Sequence, residues 1–246
     1  MDISEVRSTS TEHVFDPLPA FVDKIQSERR SDLGYRAIKR VIDFSIALIL
    51  LAISMPVMAI LAISIRLTSG GPVLFRQERV GENGKPFTFY KFRTMAHNAD
   101  NSHHKEFMHR FIRGEDVSDL TSSNDEGKKV YKMQRDPRIT ALGYFLRKTS
   151  LDELPQFFNV LNGTMSLVGP RPPIPYEVDA YKSWHMQRLQ VRPGITGAWQ
   201  VNGRSATTFD EMVEMDLAYI RNRSIWYDFK LMFQTIPATL NTKTAA

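Results

Sequence analysis

Two carboxylates stand side by side in Thr149-Ser150-Leu151-Asp152-Glu153-Leu154-Pro155. Ahead of an apolar helix, Asp152 reads as an N-cap and Glu153 as a complement to the helix dipole. Pro155 then falls where a backbone N–H would go unpaired anyway. The same geometry suits chemistry. A carboxylate at a helix start stays ionised and can act as a nucleophile, while the free N–H groups can hold a phosphate. In Gly169-Pro170-Arg171-Pro172-Pro173 the prolines fix the backbone around one guanidinium, which pairs with phosphate in bidentate fashion. A rigid surface turn is the plainer reading. Val191 to Arg204 offers Arg192, Gln200, Asn202 and Arg204 on a loop shaped by Pro193, Gly194 and Gly197; its plain reading is a turn followed by a short strand. In Tyr90-Lys91-Phe92-Arg93-Thr94-Met95, Lys91 and Arg93 alternate with aromatics, as on a phosphate-facing or nucleic-acid-facing strand, or simply a half-buried one.

Other chemistries are excluded. The chain has no Cys, so disulfides, thiolate catalysis and Cys-based zinc sites are out. Its Gly-rich stretches lack the Lys-Ser/Thr ending of a P-loop and the spacing of a dinucleotide fold. The histidines, His103 and His104 among them, show no metalloprotease spacing and read as exposed. A net charge of +5 suits anionic partners such as phosphorylated substrates, nucleic acid or an acidic membrane face. With 42% hydrophobic and 24% charged residues, the 246-residue chain is neither disordered nor polytopic.

These residues need elements to hold them. Residues 1–34 are polar and read as a mobile tail with a short helix near Phe21 to Ile25. The first apolar run begins too deep for a cleaved secretory signal. Residues 35–68 combine a basic lead-in with Phe44 to Ile65, 22 residues without a charge. As a straight helix that run would reach ~33 Å, enough to cross a bilayer. Pro56, preceded by Ser54, argues for a break near its middle. Arg36, Lys39 and Arg40 precede it, and Arg66, Arg76 and Arg79 follow, so both flanks ask for the cytoplasmic side. A re-entrant helix satisfies both flanks; a bitopic anchor and a buried core helix are the other readings.

Residues 69–246 read as the catalytic domain. Val73 to Val80 and Phe87 to Arg93 alternate with period two around Gly81-Glu82-Asn83-Gly84, which predicts a β-hairpin. Within the polar segment 96–136 a helix is expected near His104 to Ile112, and a solvated loop around Ser118 to Lys129. Helices are expected at Ile139 to Lys148 and Pro155 to Leu161, with a short strand at Thr164 to Val168. Pro175 to Arg188 and Phe209 to Asn222 read as amphipathic helices. Ile225 to Phe233 reads as an apolar stretch suited to a membrane surface. The expected fold is thus a small mixed α+β domain with a β-hairpin and amphipathic helices, anchored by an N-terminal Pro-broken re-entrant helix.

Taken together and in order, several motifs resemble the bacterial sugar transferases, the monotopic polyprenyl-phosphate phosphoglycosyl transferases. They are Lys39-Arg40-Val41-Ile42-Asp43, the Pro-interrupted apolar run, Lys91-Phe92-Arg93-Thr94-Met95, Leu151-Asp152-Glu153-Leu154-Pro155-Gln156, Ser166-Leu167-Val168-Gly169-Pro170-Arg171-Pro172 and Arg192-Pro193-Gly194-Ile195-Thr196-Gly197. Resemblance covers Tyr35 to Leu240. It implies transfer of a hexose-1-phosphate from a UDP-sugar to undecaprenyl phosphate through an aspartyl phosphosugar, with Asp152 as nucleophile and Glu153 holding Mg²⁺. Arg147, Arg171, Arg192, Lys91 and Arg93 are the implied phosphate-binding residues, Lys39 and Arg40 the lipid-phosphate contacts, and Ser54 and Pro56 the membrane break. It also implies the cytoplasmic face of the bacterial inner membrane, contact with its lipids and no nucleic-acid partner. A homo-oligomer stays open. Two departures stand out: the 96–136 segment is longer than in short members, and the usual Ser-Pro break reads Ser54-Met55-Pro56. A glycosidase would need carboxyl groups ~5–9.5 Å apart across a sugar, which one adjacent pair does not establish. A non-catalytic basic protein bound to a membrane surface is the other rival.

Overall fold

The basic lead-in and the apolar run form one element. In a computed structural model describing residues 33–96, 102–117, 121–123, 129–133, 138–203 and 207–240, helix α1 spans Leu33–Ser69. From Gly34 onward the described residues make up one compact unit. The tail expected at 1–34 lies outside the described residues except for Leu33 and Gly34, which already belong to α1. Among the described residues α1 is the one helix long and apolar enough to cross a membrane, by length and composition. The break expected at Ser54 and Pro56 does not interrupt it. Packing explains the continuity. Asp43, Ala47, Leu51, Met58, Leu61 and Ile65 form one buried stripe that passes Pro56. Leu51, Met58, Leu61 and Ile65 share a core with Phe92 and Leu146, so both halves of the helix lie on the same surface. That burial offsets the ~3 kcal/mol a mid-helix proline costs. On the opposite face Leu48, Ile49, Ile53, Ile60 and Ile63 are exposed.

The hairpin forms as the alternation predicts. Strand β1 (Leu74–Val80) pairs antiparallel with β2 (Pro86–Phe92), from Leu74 opposite Phe92 to Val80 opposite Pro86. Its turn is wider than a two-residue loop, closed by Gly81 N donating to Lys85 O at 2.8 Å. Asn83 and Gly84 take left-handed backbone, φ 62° and 75°, as the Asn-Gly pair allows. Helix α2 (Ser102–Arg113) covers the expected stretch. Of the expected loop at Ser118 to Lys129 the described part needs correction: β3 (Thr121–Ser123) pairs antiparallel with β4 (Lys129–Met133), while residues 118–120 and 124–128 lie outside the described residues. Polar composition hid the pairing, while β-branched and aromatic residues such as Val130 and Tyr131 favour it.

Helix α3 (Ala141–Thr149) is capped by Thr140, whose Oγ1 accepts from Gly143 N at 2.9 Å. Ser150 turns left-handed at φ 56°, followed by a 3-10 turn over Leu151–Glu153. Helix α4 begins only at Gln156 and runs to Asn162. Asp152 is therefore no α-helix N-cap; it sits inside the tight turn before α4. Strand β5 (Ser166–Val168) pairs in parallel with β6 (Gly194–Thr196). After β6 comes not more strand but a short helix, α6 (Ala198–Asn202). The amphipathic helix expected at Pro175 to Arg188 is only α5 (Pro175–Val178), with a 3-10 turn at His185–Gln190. His185 Nδ1 accepts from Lys182 N at 3.1 Å while its ring packs on Phe209, so the side chain holds the backbone in a turn where a helix would continue. Helix α7 (Phe209–Asn222) matches its expected span and opens on a Thr208–Glu211 capping box. Helix α8 (Ile225–Leu240) runs past the expected end. Ala47, Phe89, Val160, Met165, Val168, Tyr219 and Leu231 join α1, hairpin, α4, β5, α7 and α8 in one core. A second core packs Phe107, Phe111 and Ile112 of α2 on Phe209, Val213 and Leu217 of α7. The architecture is mixed helix and strand, as expected.

Candidate active site

Three elements converge on Asp152. The first is β2, which carries Lys91. Its free edge is held by Asn159 of α4: Tyr90 N donates to Asn159 Oδ1 at 3.1 Å, and Asn159 Nδ2 donates to Thr88 O at 2.7 Å. One amide side chain thus acts as a neighbouring strand and fixes β2 against the segment that bears Asp152. The second is α3. A Cβ on Gly143 would lie 2.0 Å from Thr94 O, so only glycine lets α3 settle there. Arg147 Nε then donates to Thr94 Oγ1 at 2.9 Å. The third is the proline strap after β5. Gly169, Gly194 and Gly197 permit backbone contact; a Cβ on Gly194 would lie 2.1 Å from Gly169 N. Gly169 N donates to Thr196 O at 2.9 Å, and Gly194 N to Pro170 O at 2.9 Å. Beyond Arg171, Pro172 O accepts from Arg79 Nη1 at 2.8 Å and Pro173 O from Val80 N at 2.9 Å. Arg171 is left exposed on a pinned backbone.

Charge explains what this convergence does. Asp152 is only 6% exposed. Burial raises its carboxyl above the usual carboxylate range, against the pull of Lys91, Arg147 and Arg171. Glu153 is raised by burial and then by Asp152, while Arg171, Lys91 and a hydrogen bond with Gln156 oppose. Burial pushes Lys91 down to about 8, although Asp152 holds its proton on. Two strained carboxyls and three cations form one electrostatic cluster. An anion bridging the cations would stabilise them, and a divalent cation would relieve the carboxyl pair. Mg²⁺ fits, because it takes one or two carboxylates and draws its other oxygens from phosphate and water. Among the described residues no group of three or more His, Cys, Asp or Glu forms a metal cage.

Other expected residues have partners elsewhere. Arg192 lies 3.5 Å from Glu82, which also pairs with Arg36 at 2.5 Å. Lys39 donates to Asp228 at 2.9 Å and lies 3.6 Å from Asp43. Arg40 donates to Val160 O at 2.5 Å and Leu161 O at 2.7 Å. Arg93 is 7% exposed and donates to Ser69 Oγ at 2.7 Å and to Gly70 O. Lys39, Arg40 and Arg93 thus tie α1 to α8, α4 and the end of β2, and Arg192 forms a partly exposed pair with the hairpin turn. Ser54 Oγ donates to Leu51 O at 3.1 Å, inside α1. Sequence reasoning missed Asn159, Thr94 and Gly143. Thr94 lies within a motif it singled out, but Asn159 and Gly143 carry no local signal, because their roles depend on partners distant in the chain.

The profile of the bacterial sugar transferase family matches residues 34–242. A galactosyl transferase, CpsE, of Streptococcus agalactiae is 44% identical over 82% of this chain and 42% of its own length. A UDP-glucose:undecaprenyl-phosphate glucose-1-phosphate transferase of Escherichia coli is 40% identical over 82% of this chain and 40% of its own. The exopolysaccharide production protein ExoY of Rhizobium meliloti is 37% identical over 81% of this chain and 84% of its own. The chain thus spans about two fifths of the first two relatives and most of the third. The family match holds α1, the Asp152–Glu153 turn and the Arg171 strap within one span, and the chain belongs to the bacterial sugar transferase family.

Proposed function

We propose that this protein transfers a hexose-1-phosphate from a UDP-sugar to undecaprenyl phosphate, with Asp152 as nucleophile. The observation that carries the reading is the buried Asp152 carboxyl facing Lys91, Arg147 and Arg171. A carboxylate oxygen of Asp152 attacks the phosphorus bearing the sugar. That bond forms as the phosphoanhydride breaks, and uridine monophosphate leaves with the electron pair. Lys91, Arg147 and Arg171 neutralise the phosphate oxygens, as charge on a transferring phosphoryl group requires. Glu153 would hold Mg²⁺, which supplies further charge neutralisation at the diphosphate. A phosphate oxygen of the polyprenyl acceptor then attacks the same phosphorus, and the Asp152 carboxylate is released unchanged. The raised Asp152 carboxyl makes a more basic nucleophile once cations hold it ionised.

Placement at a membrane supports the acceptor. α1 is tied to the domain at both ends, by Lys39 and Arg40 near its start and by Arg93 at Ser69 and Gly70. Between these ties it exposes an apolar face. A helix held at both ends by one domain keeps both flanks on that domain's side. This favours a helix lying with its apolar side in the cytoplasmic face of the inner membrane over one that crosses it. Exposed Tyr144 and Phe145 on α3 and Phe158 on α4 flank the Asp152 turn and suit the same interface. The relatives' names divide between galactose and glucose, so the hexose is one of this class.

The test omits the acceptor. With Mg²⁺ and its UDP-sugar the protein should release up to one equivalent of uridine monophosphate and gain the mass of one sugar phosphate on the peptide containing Asp152. Asp152→Asn should show neither. Monophosphate release that waits for the lipid acceptor, or an adduct on another residue, overturns the assignment.

A further inference from the structure

Arg171 opens Arg171-Pro172-Pro173-Ile174-Pro175-Tyr176, a segment with three prolines in its four interior positions. Prolines lock φ, so such a segment moves as a stiff unit. β1 pins it at Pro172 and Pro173. Its far end, Tyr176, is gripped by α2, from the long polar segment. His104 Nδ1 lies 2.9 Å from the Tyr176 hydroxyl. His109 stacks on the Tyr176 ring at 6.2 Å between centroids, and Lys105 Nζ lies 5.8 Å from that ring's centroid. α2 cannot drift, because Phe107, Phe111 and Ile112 are buried on α7.

We propose that His104 is a positioning residue: through its hydrogen bond to Tyr176 it sets the placement of Arg171, so that α2 tunes how tightly the nucleotide diphosphate is held. The proposal rests on the reading that Arg171 meets the donor diphosphate. Two features of His104 support it. It lies within electrostatic reach of Arg79, Arg171, Arg138 and Arg147, and Arg171 and Arg147 also act on Asp152. Burial, with those guanidinium groups, pushes His104 down to about 4. The ring is neutral at neutral pH and exchanges one neutral hydrogen bond with Tyr176. It adds no charge to the site and acts on geometry alone. The histidine expected to be exposed is thus the contact between a surface segment and the site.

The test measures the Kd of UDP for the full chain in detergent, with melting temperature recorded alongside. His104→Ala and Tyr176→Phe should each weaken UDP about tenfold, what one partly buried hydrogen bond supplies. His104→Asn, whose amide can still meet a hydroxyl, should recover part of that loss. In an Arg171→Ala background, His104→Ala should add no further weakening, because its effect passes through Arg171. A lower melting temperature with unchanged Kd would make the contact merely structural and overturn the proposal. Equal weakening with and without Arg171 would overturn it too. If Arg171→Ala itself leaves the Kd unchanged, the underlying reading of Arg171 fails instead.

Discussion

Asn159→Ala should unfold the hairpin's grip on the active site. Asn159 is 1% exposed, and its side chain is partner to two backbone groups, Tyr90 N at 3.1 Å and Thr88 O at 2.7 Å. Alanine leaves both without a partner. Each buried orphan costs ~1–3 kcal/mol, so the loss should fall near ~3 kcal/mol within a range of ~2–6. Urea unfolding in detergent micelles, followed by Trp fluorescence, reads it. Lys91 follows Tyr90 in the chain, so the burst of uridine monophosphate should also slow. Asn159→Asp sharpens the test. One carboxyl oxygen can still accept from Tyr90 N, but the other meets the Thr88 carbonyl as a second acceptor. That contact favours the protonated carboxyl, so its folded pKa lies above its unfolded one. The penalty is full above the folded value and shrinks as pH falls through it. Stability of Asn159→Asp should therefore approach wild type on acidification, while Asn159→Ala stays apart. A loss under ~1 kcal/mol in Asn159→Ala would refute the orphan argument. A full loss of stability with an unchanged burst rate would refute the link to Lys91.

Three further outcomes are expected. The burst rate should fall on both sides of neutral: below, as the raised Asp152 carboxyl takes up a proton, and above, as Lys91 loses its own near about 8. Lys91→Arg should carry the alkaline limb upward, since guanidinium does not titrate there; an unmoved limb would assign it to another group. Gly34→Cys and Thr68→Cys, at exposed positions in a chain without cysteine, should both label from the cytoplasmic side only; labelling from opposite sides would establish a crossing helix. Arg192→Ala should cost less than ~1 kcal/mol of stability, as partly exposed ion pairs do, and should leave the adduct on Asp152 at full yield in the mass spectrum; a lost adduct would return Arg192 to the site.

Local chemistry was legible along the chain. Alternation with an Asn-Gly pair specified the hairpin, an uncharged run of 22 residues the apolar helix of α1, and amphipathic patterning α7, because those signals depend on neighbours in sequence. The motif residues Asp152, Lys91 and Arg171 were readable for a related reason: each is a reactive or charged type set among glycines, prolines or strand residues that constrain it, whereas Arg147 entered only through the family resemblance. What the chain could not settle was which cations are free for a substrate. Lys39, Arg40, Arg93 and Arg192 look no different in sequence from Lys91 and Arg171. Their partners lie far along the chain: Lys39 on Asp228, Arg40 on Val160 and Leu161, Arg192 on Glu82. Pro56 is the same kind of case, since a proline's local cost was outweighed by side chains that α1 meets only after folding, Phe92 and Leu146. A charge or a proline has a fixed intrinsic preference, but its role follows from whatever the tertiary structure brings within a few ångströms. That is a long-range fact no local pattern encodes.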